Sequence, residues 1–191
     1  MKKVEVFSEF KEEFFLSDTL TGAQPTLWAK FALAYTKDSV KIRIKTQVGE
    51  KMVVPYAGDN VQVWRGDAVE FFVSPYGDKE KYFELDIAPN GACFHAKVIN
   101  PDNCTAYTHL LDVAPIKTTV SVENGVWTTE MQVPFSMLLK EGDADKAHTL
   151  PWLFNVYRID AAHDEYQAFS PTGGVKANFH VPSQFAKMEW K

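Results

Sequence analysis

Three carboxylates stand where two strands would bring them together: Glu70 in Asp67-Ala68-Val69-Glu70-Phe71-Phe72-Val73, and Glu84 and Asp86 in Tyr82-Phe83-Glu84-Leu85-Asp86-Ile87. In a strand, side chains two apart share a face, so these groups meet if the two runs are neighbours in one sheet. Two carboxyl groups about 5 to 10 Å apart are enough for glycoside hydrolysis. Glu70 and Glu84 are the pair for that chemistry, set against the plainer reading of solvated sheet carboxylates. Two rings stand apart from the obvious core. Trp64 lies at a loop-to-strand junction beside Arg65-Gly66-Asp67, and Phe179 lies in loop-like Lys176-Ala177-Asn178-Phe179-His180. Each is either a plug at the edge of the core or a platform on which the C–H face of a pyranose stacks while its hydroxyls bond nearby carboxylates and amides. Asn155 and Arg158 share one run with Tyr157 between them. They either pair with Asp67, Glu70 or Asp86 in a structural network or line the same site.

Other chemistries lack support. The histidines 95, 109, 148, 163 and 180 show no i,i+4 pair and no Cys-x-x-Cys accompanies them, so no zinc pattern is present. There is no Gly-x-Ser-x-Gly, phosphate loop or dinucleotide fingerprint.

The elements that must hold these residues read as strand after strand. Spans 27–35 and 39–47 form a hairpin, and within the second Val40, Ile42 and Ile44 alternate with Lys41, Arg43 and Lys45. The run from Asp67 to a Ser74-Pro75 stop belongs inside a sheet, with Val69, Phe71 and Val73 on one face and Glu70 and Phe72 on the other. Asp67 shares the apolar face and needs a partner or a purpose there. Strands 80–88 and 92–99 flank the turn Pro89-Asn90-Gly91, and 117–123 and 126–133 flank Asn124-Gly125, a strong hairpin signal. Further strands are expected at 107–113, 151–159, 166–170 and 185–190, with one helical turn in 134–139. Many short strands and almost no helix give an all-β, antiparallel, jelly-roll-like sandwich, expected as one domain over 1–191.

Composition agrees. A chain of 191 residues that is 46% hydrophobic buries a substantial core. A net charge of −5, with no Lys/Arg cluster, argues against a nucleic-acid partner. No apolar run approaches the roughly 20 residues of a membrane-inserted helix. The opening Met1-Lys2-Lys3 is not followed by the apolar stretch of a signal peptide, which reads as cytoplasmic unless a leader was removed. Cys93 and Cys104 flank a turn and are read as two free thiols rather than a cross-strand disulfide.

Trp64-Arg65-Gly66-Asp67-Ala68-Val69-Glu70-Phe71-Phe72-Val73 and Tyr82-Phe83-Glu84-Leu85-Asp86-Ile87-Ala88-Pro89-Asn90-Gly91 together resemble the family 9 carbohydrate-binding modules, with a DOMON-like sandwich. The resemblance continues through Gly125-Val126-Trp127 to Pro134-Phe135, then Phe154-Asn155-Val156-Tyr157-Arg158, Ser170-Pro171 and Phe179-His180-Val181-Pro182-Ser183-Gln184-Phe185. It implies a non-catalytic module, usually extracellular, that clamps a glucan or xylan chain end between two rings and works beside a separate glycoside hydrolase. Trp64 falls on one ring position, and Phe179 falls on the other, where sugar-binding members carry tryptophan. Glu70 falls on an acidic residue that bonds sugar hydroxyls, and Glu84 falls where those members carry arginine. Some members bind structural calcium, for which the acidic loops here offer no ligand set. Saccharide binding is thus the first expectation. A hydrolase using Glu70 and Glu84 is the second, and a haem or protein-interaction domain of related fold the third.

Overall fold

Strict alternation builds one face of the protein: Val40, Ile42 and Ile44 are buried, whereas Lys41, Arg43 and Lys45 keep partial contact with water. The computed structural model describes residues 1–103 and 105–191. In chain order its strands are β1 (Lys3–Val6), β2 (Phe14–Phe15), β3 (Ser17–Asp18), β4 (Ala29–Tyr35), β5 (Ser39–Gln47), β6 (Ala68–Ser74) and β7 (Lys81–Ile87). There follow β8 (Cys93–Ile99), β9 (Tyr107–Leu110), β10 (Lys117–Glu123), β11 (Val126–Pro134), β12 (Leu153–Asp160), β13 (Glu165–Ala168) and β14 (Ala186–Trp190). One helical turn, α1 (Phe135–Leu138), follows β11, as expected from the sequence.

The strands form two sheets. The smaller runs β10-β11-β5-β4-β2, and the larger runs β1-β14-β12-β6-β7-β8-β9, with β13 paired to β12 and β3 to β13. Between them lies a core in which Phe31, Ile42, Phe71, Leu85, Phe154 and Val156 take part. Each such side chain removed from water contributes about 1.5 to 3 kcal/mol. The expected sandwich is therefore present. One pairing departs from the antiparallel rule: β1 runs parallel to β14, with Val4 opposite Met188. Val4 and Val6 are buried there, a four-residue alternation too short to read as a strand beforehand. The Asn124-Gly125 hairpin is as expected, with positive φ of 52° and 74° at its two central residues, the backbone a tight two-residue turn needs.

β6 lies between β12 and β7 and is buried along its whole length, on both faces. Its sandwich face presents Val69, Phe71 and Val73 to the core, while its other face is covered by a second apolar cluster that includes Val63, Phe72, Tyr82, Tyr157, Phe179 and Phe185. That second layer is the ground on which the site is built. Asp67, just before β6, finds its partners in backbone amides: Val53 N–H and Ala161 N–H each donate to it at 2.8 Å. Cys104 lies outside the described residues, and the reading of the two cysteines falls there with it.

Candidate functional site

Register does the assembling. Glu70 stands opposite Asp86 and Phe72 opposite Glu84 across β6 and β7; Asp86 stands opposite Phe94 across β7 and β8; and Tyr157 of β12 stands opposite Glu70. All of these side chains therefore lie on the outer face of the larger sheet. Above them opens a cavity of about 510 Å³, lined by Trp64, Glu70, Glu84, Phe94, Tyr166, Asn178, Phe179 and His180, among others.

The aromatic walls differ in character. Trp64 sits in a one-turn 3₁₀ helix, Val63–Arg65, and remains 38% exposed, its ring and that of Phe94 T-shaped with 4.6 Å between centroids. The turn lies close against the preceding loop: a Cβ on Gly66 would stand 2.3 Å from the Val53 carbonyl oxygen, so only glycine fits. Phe179 is only 9% exposed and stacks flat on Tyr157, with centroids 4.2 Å apart and planes 10° from parallel. Tyr157 is itself fixed: its hydroxyl donates to the Phe179 carbonyl at 2.9 Å and accepts from Asn155 Nδ2 at 2.9 Å. At one side of the cavity Tyr82 Oη and His180 Nδ1 share a hydrogen bond of 2.7 Å, while Asn100 Nδ2 donates to the same hydroxyl and to the His180 carbonyl.

The floor is acidic. One carboxylate oxygen from each of Glu70, Glu84 and Asp86 lies within 4.8 Å of the others, and all three residues are buried. Burial, followed by the field of Glu84, holds the Glu70 pKa well above the usual carboxylate range. Burial, followed by the fields of Glu70 and Glu84, does the same for Asp86. Glu84 is pushed up to about 7 by burial, offset in part by hydrogen bonding with Asp86. That bond requires a proton on one of the pair, since two carboxylates are both acceptors. Among the described residues, no N–H or hydroxyl from outside the acidic group reaches either oxygen of Asp86 or Oε2 of Glu84. His180 supplies no compensating charge, because burial lowers its pKa to about 4.

Residues 23–190 match carbohydrate-binding family 9. The chain belongs to that family. An "Extracellular protein" of Arthroderma benhamiae is 25% identical over 186 residues, covering 89% of this chain and 82% of that protein. Among solved structures, a protein of Bacteroides uniformis provisionally described as carbohydrate-binding superposes with a TM-score of 0.75 at 20% identity, covering all of this chain and 99% of that one. A family 9 module of Caldicellulosiruptor kristjanssonii in complex with glucose gives 0.65 at 12% identity, and the one in complex with cellotriose gives 0.64 at 14%. Each covers all of this chain, and 96% and 94% of theirs. At these identities the structural likeness establishes the fold.

In this family 9 chain the cavity brings together Trp64, Glu70, Glu84 and Phe179. Asn155 and Arg158 do not line it. Asn155 lies beneath, with its amide fully used: Nδ2 donates to Tyr157 Oη and to the Ser170 carbonyl, and Oδ1 accepts from Val156 and Ser170 N–H. It fixes the Tyr157 hydroxyl and the backbone at Val156 and Ser170. Arg158 points the other way, because its register opposite Val69 places it on the sandwich face. There it donates to the carbonyls of Leu27, Trp28 and Gln47 and pairs with Asp160 at 3.1 Å, tying the two sheets together. A structural network is present, but its acid is Asp160 and not the expected Asp67, Glu70 or Asp86. Phe94, Asn178 and His180 were not anticipated as lining residues. Register across the Pro89-Asn90-Gly91 turn carries Phe94 to Asp86 and was a signal for it, whereas nothing local marks the Tyr82–His180 contact across 98 positions.

Proposed function

We propose that the outer-face cavity binds a saccharide of glucan or xylan type without altering it, taking a chain end against the ring of Trp64. The observation that carries this reading is the half-exposed Trp64 beside a cavity whose floor is built from Glu70 and Glu84. A ring left open to water next to carboxyl groups suits an apolar sugar face bordered by hydroxyls. Family membership and the glucose and cellotriose held in the two family 9 structures from Caldicellulosiruptor kristjanssonii support it. The name of the Arthroderma benhamiae relative supports an extracellular setting, and a separate glycoside hydrolase as working partner fits the same picture.

Hydrolysis is the reading to set against it, since the spacing of Glu70 and Glu84 approaches the roughly 5 Å of retaining glycosidases. Such an enzyme needs environments that push the two groups apart, one protonated and one ionised. Here burial raises both, Glu70 well above the usual carboxylate range and Glu84 to about 7, so neither is held firmly ionised as a nucleophile would be. Calorimetric titration with glucose, cellotriose and xylotriose, followed by chromatography of the same mixtures, separates the readings. Binding with intact sugars is expected. Released sugars would establish an enzyme, and no heat with any of them would overturn the saccharide reading. A colourless purified protein disposes of the haem alternative.

A further inference from the structure

We propose that the floor of the cavity is a divalent-cation site, with calcium the ion of best fit, held by Glu70, Glu84 and Asp86. The first observation is geometric. A point central to three oxygens no more than 4.8 Å apart lies within about 2.8 Å of each, close to the 2.3 to 2.6 Å of calcium–oxygen bonds. The second is the state of Asp86, which is completely buried and, among the described residues, receives no donor from outside the acidic group at either oxygen, beside an equally unprovided Oε2 of Glu84. Buried carboxylates are ordinarily paired or bound to metal. None of the ion pairs among the described residues includes any of the three. Arg158, on the same sheet, is turned to the opposite face and engaged there.

The donor set narrows the ion. Three hard oxygens with no sulfur or imidazole among them favour calcium, magnesium or manganese over zinc or copper. Magnesium demands shorter, near-octahedral bonds and gives up water reluctantly. Calcium accepts six to eight oxygens, so three carboxylates leave positions open toward the cavity for water or hydroxyls. Two of the three ligands, Glu70 and Glu84, line that cavity, and Asp86 lies beneath them. An ion here therefore has an entry path. It would also present open coordination positions to a sugar, a role that rests on the saccharide reading, although the cation site itself does not.

The test begins with the whole chain stripped by EDTA and free of sugar, titrated with calcium chloride by calorimetry and followed by thermal melting. Saturable one-to-one binding is expected, with the Tm raised by about 5 °C or more at a hundredfold excess over Kd. Magnesium should bind more weakly. Asp86→Asn, which keeps shape and removes charge, should weaken calcium at least tenfold. Glu84→Gln, at the cavity wall, should do the same and serves if the first variant does not fold. No saturable binding of calcium, magnesium or manganese up to millimolar concentration would overturn the proposal, as would either variant binding calcium as tightly as the parent. Glucosamine binding to the EDTA-treated protein more tightly than glucose would also overturn it, by assigning the floor to an ammonium group. Calcium binding without sugar binding would sink the saccharide reading alone, and glucose binding in EDTA with no response to calcium would sink the cation alone.

Discussion

Trp64 and Phe179 fall on the two ring positions that the family resemblance implies, yet their surroundings differ. Trp64 meets Phe94 in a T-shaped contact and stays 38% exposed, whereas Phe179 has given one face to Tyr157. Trp64→Ala should therefore abolish saccharide binding at a stability cost of about 1 kcal/mol or less, since little buried volume is lost. Phe179→Ala should cost about 3 kcal/mol and weaken binding mainly through the collapse of the Tyr157 stack. Urea unfolding paired with calorimetric titration of each variant checks both, and a Trp64→Ala protein that unfolds as readily as Phe179→Ala would make Trp64 a core plug. The acidic column was legible at this scale because two alternating runs joined by turns leave few registers. Arg158 was harder to place. Its face depends on which residue of β6 it opposes, and one step of register exchanges core for cavity.

Among the elements, the strands from 27 onward were readable because alternation and turn chemistry agreed, most plainly at Val40, Ile42 and Ile44 and at Asn124-Gly125. The first 26 residues were not. β1 and β3 are short and owe their pairing to β14 and β13, which lie at the far end of the chain. Two glycines show different demands on the elements around the site. Gly91 adopts φ of 84° in the β7–β8 turn with open space around it, so Gly91→Ala should cost about 1 kcal/mol, from backbone strain alone. At Gly66 an added Cβ meets the carbonyl oxygen of Val53, which itself accepts Asp67 N–H at 2.7 Å. Gly66→Ala should cost more than Gly91→Ala and should also displace the Trp64 turn. Urea midpoints give the order. A saccharide titration in which Gly91→Ala weakens binding as much as Gly66→Ala would break the link between Gly66 and Trp64.

For the whole molecule, a sheet covered on both faces means that ionisable groups are buried on each side of it, and their effects on stability oppose one another. His95 is buried near the core face and His180 is half-buried beside the cavity, and loss of solvent lowers both pKa values from an ordinary 6.5 to about 4. Each is neutral in the fold, so between pH 6.5 and 4 the unfolded chain binds the extra protons, and stability falls as pH falls. The loss from each is about 3 kcal/mol once pH drops below its folded value. Glu70 and Asp86 act with the opposite sign: their raised values add stability that is complete below the unfolded carboxylate range and is lost as pH rises through the folded values. In EDTA the two contributions partly cancel over the acid range, which predicts a shallow pH profile for the parent. Asp86→Asn removes one carboxylate contribution, so it should be more stable than the parent at pH 7 and should lose stability more steeply on acidification from pH 6.5 to 4. His95→Gln removes one histidine contribution and should fall less steeply than the parent over the same range. Urea midpoints at half-unit steps of pH give the three slopes, and an Asp86→Asn slope no steeper than that of the parent would mean that Asp86 is already ionised in the fold.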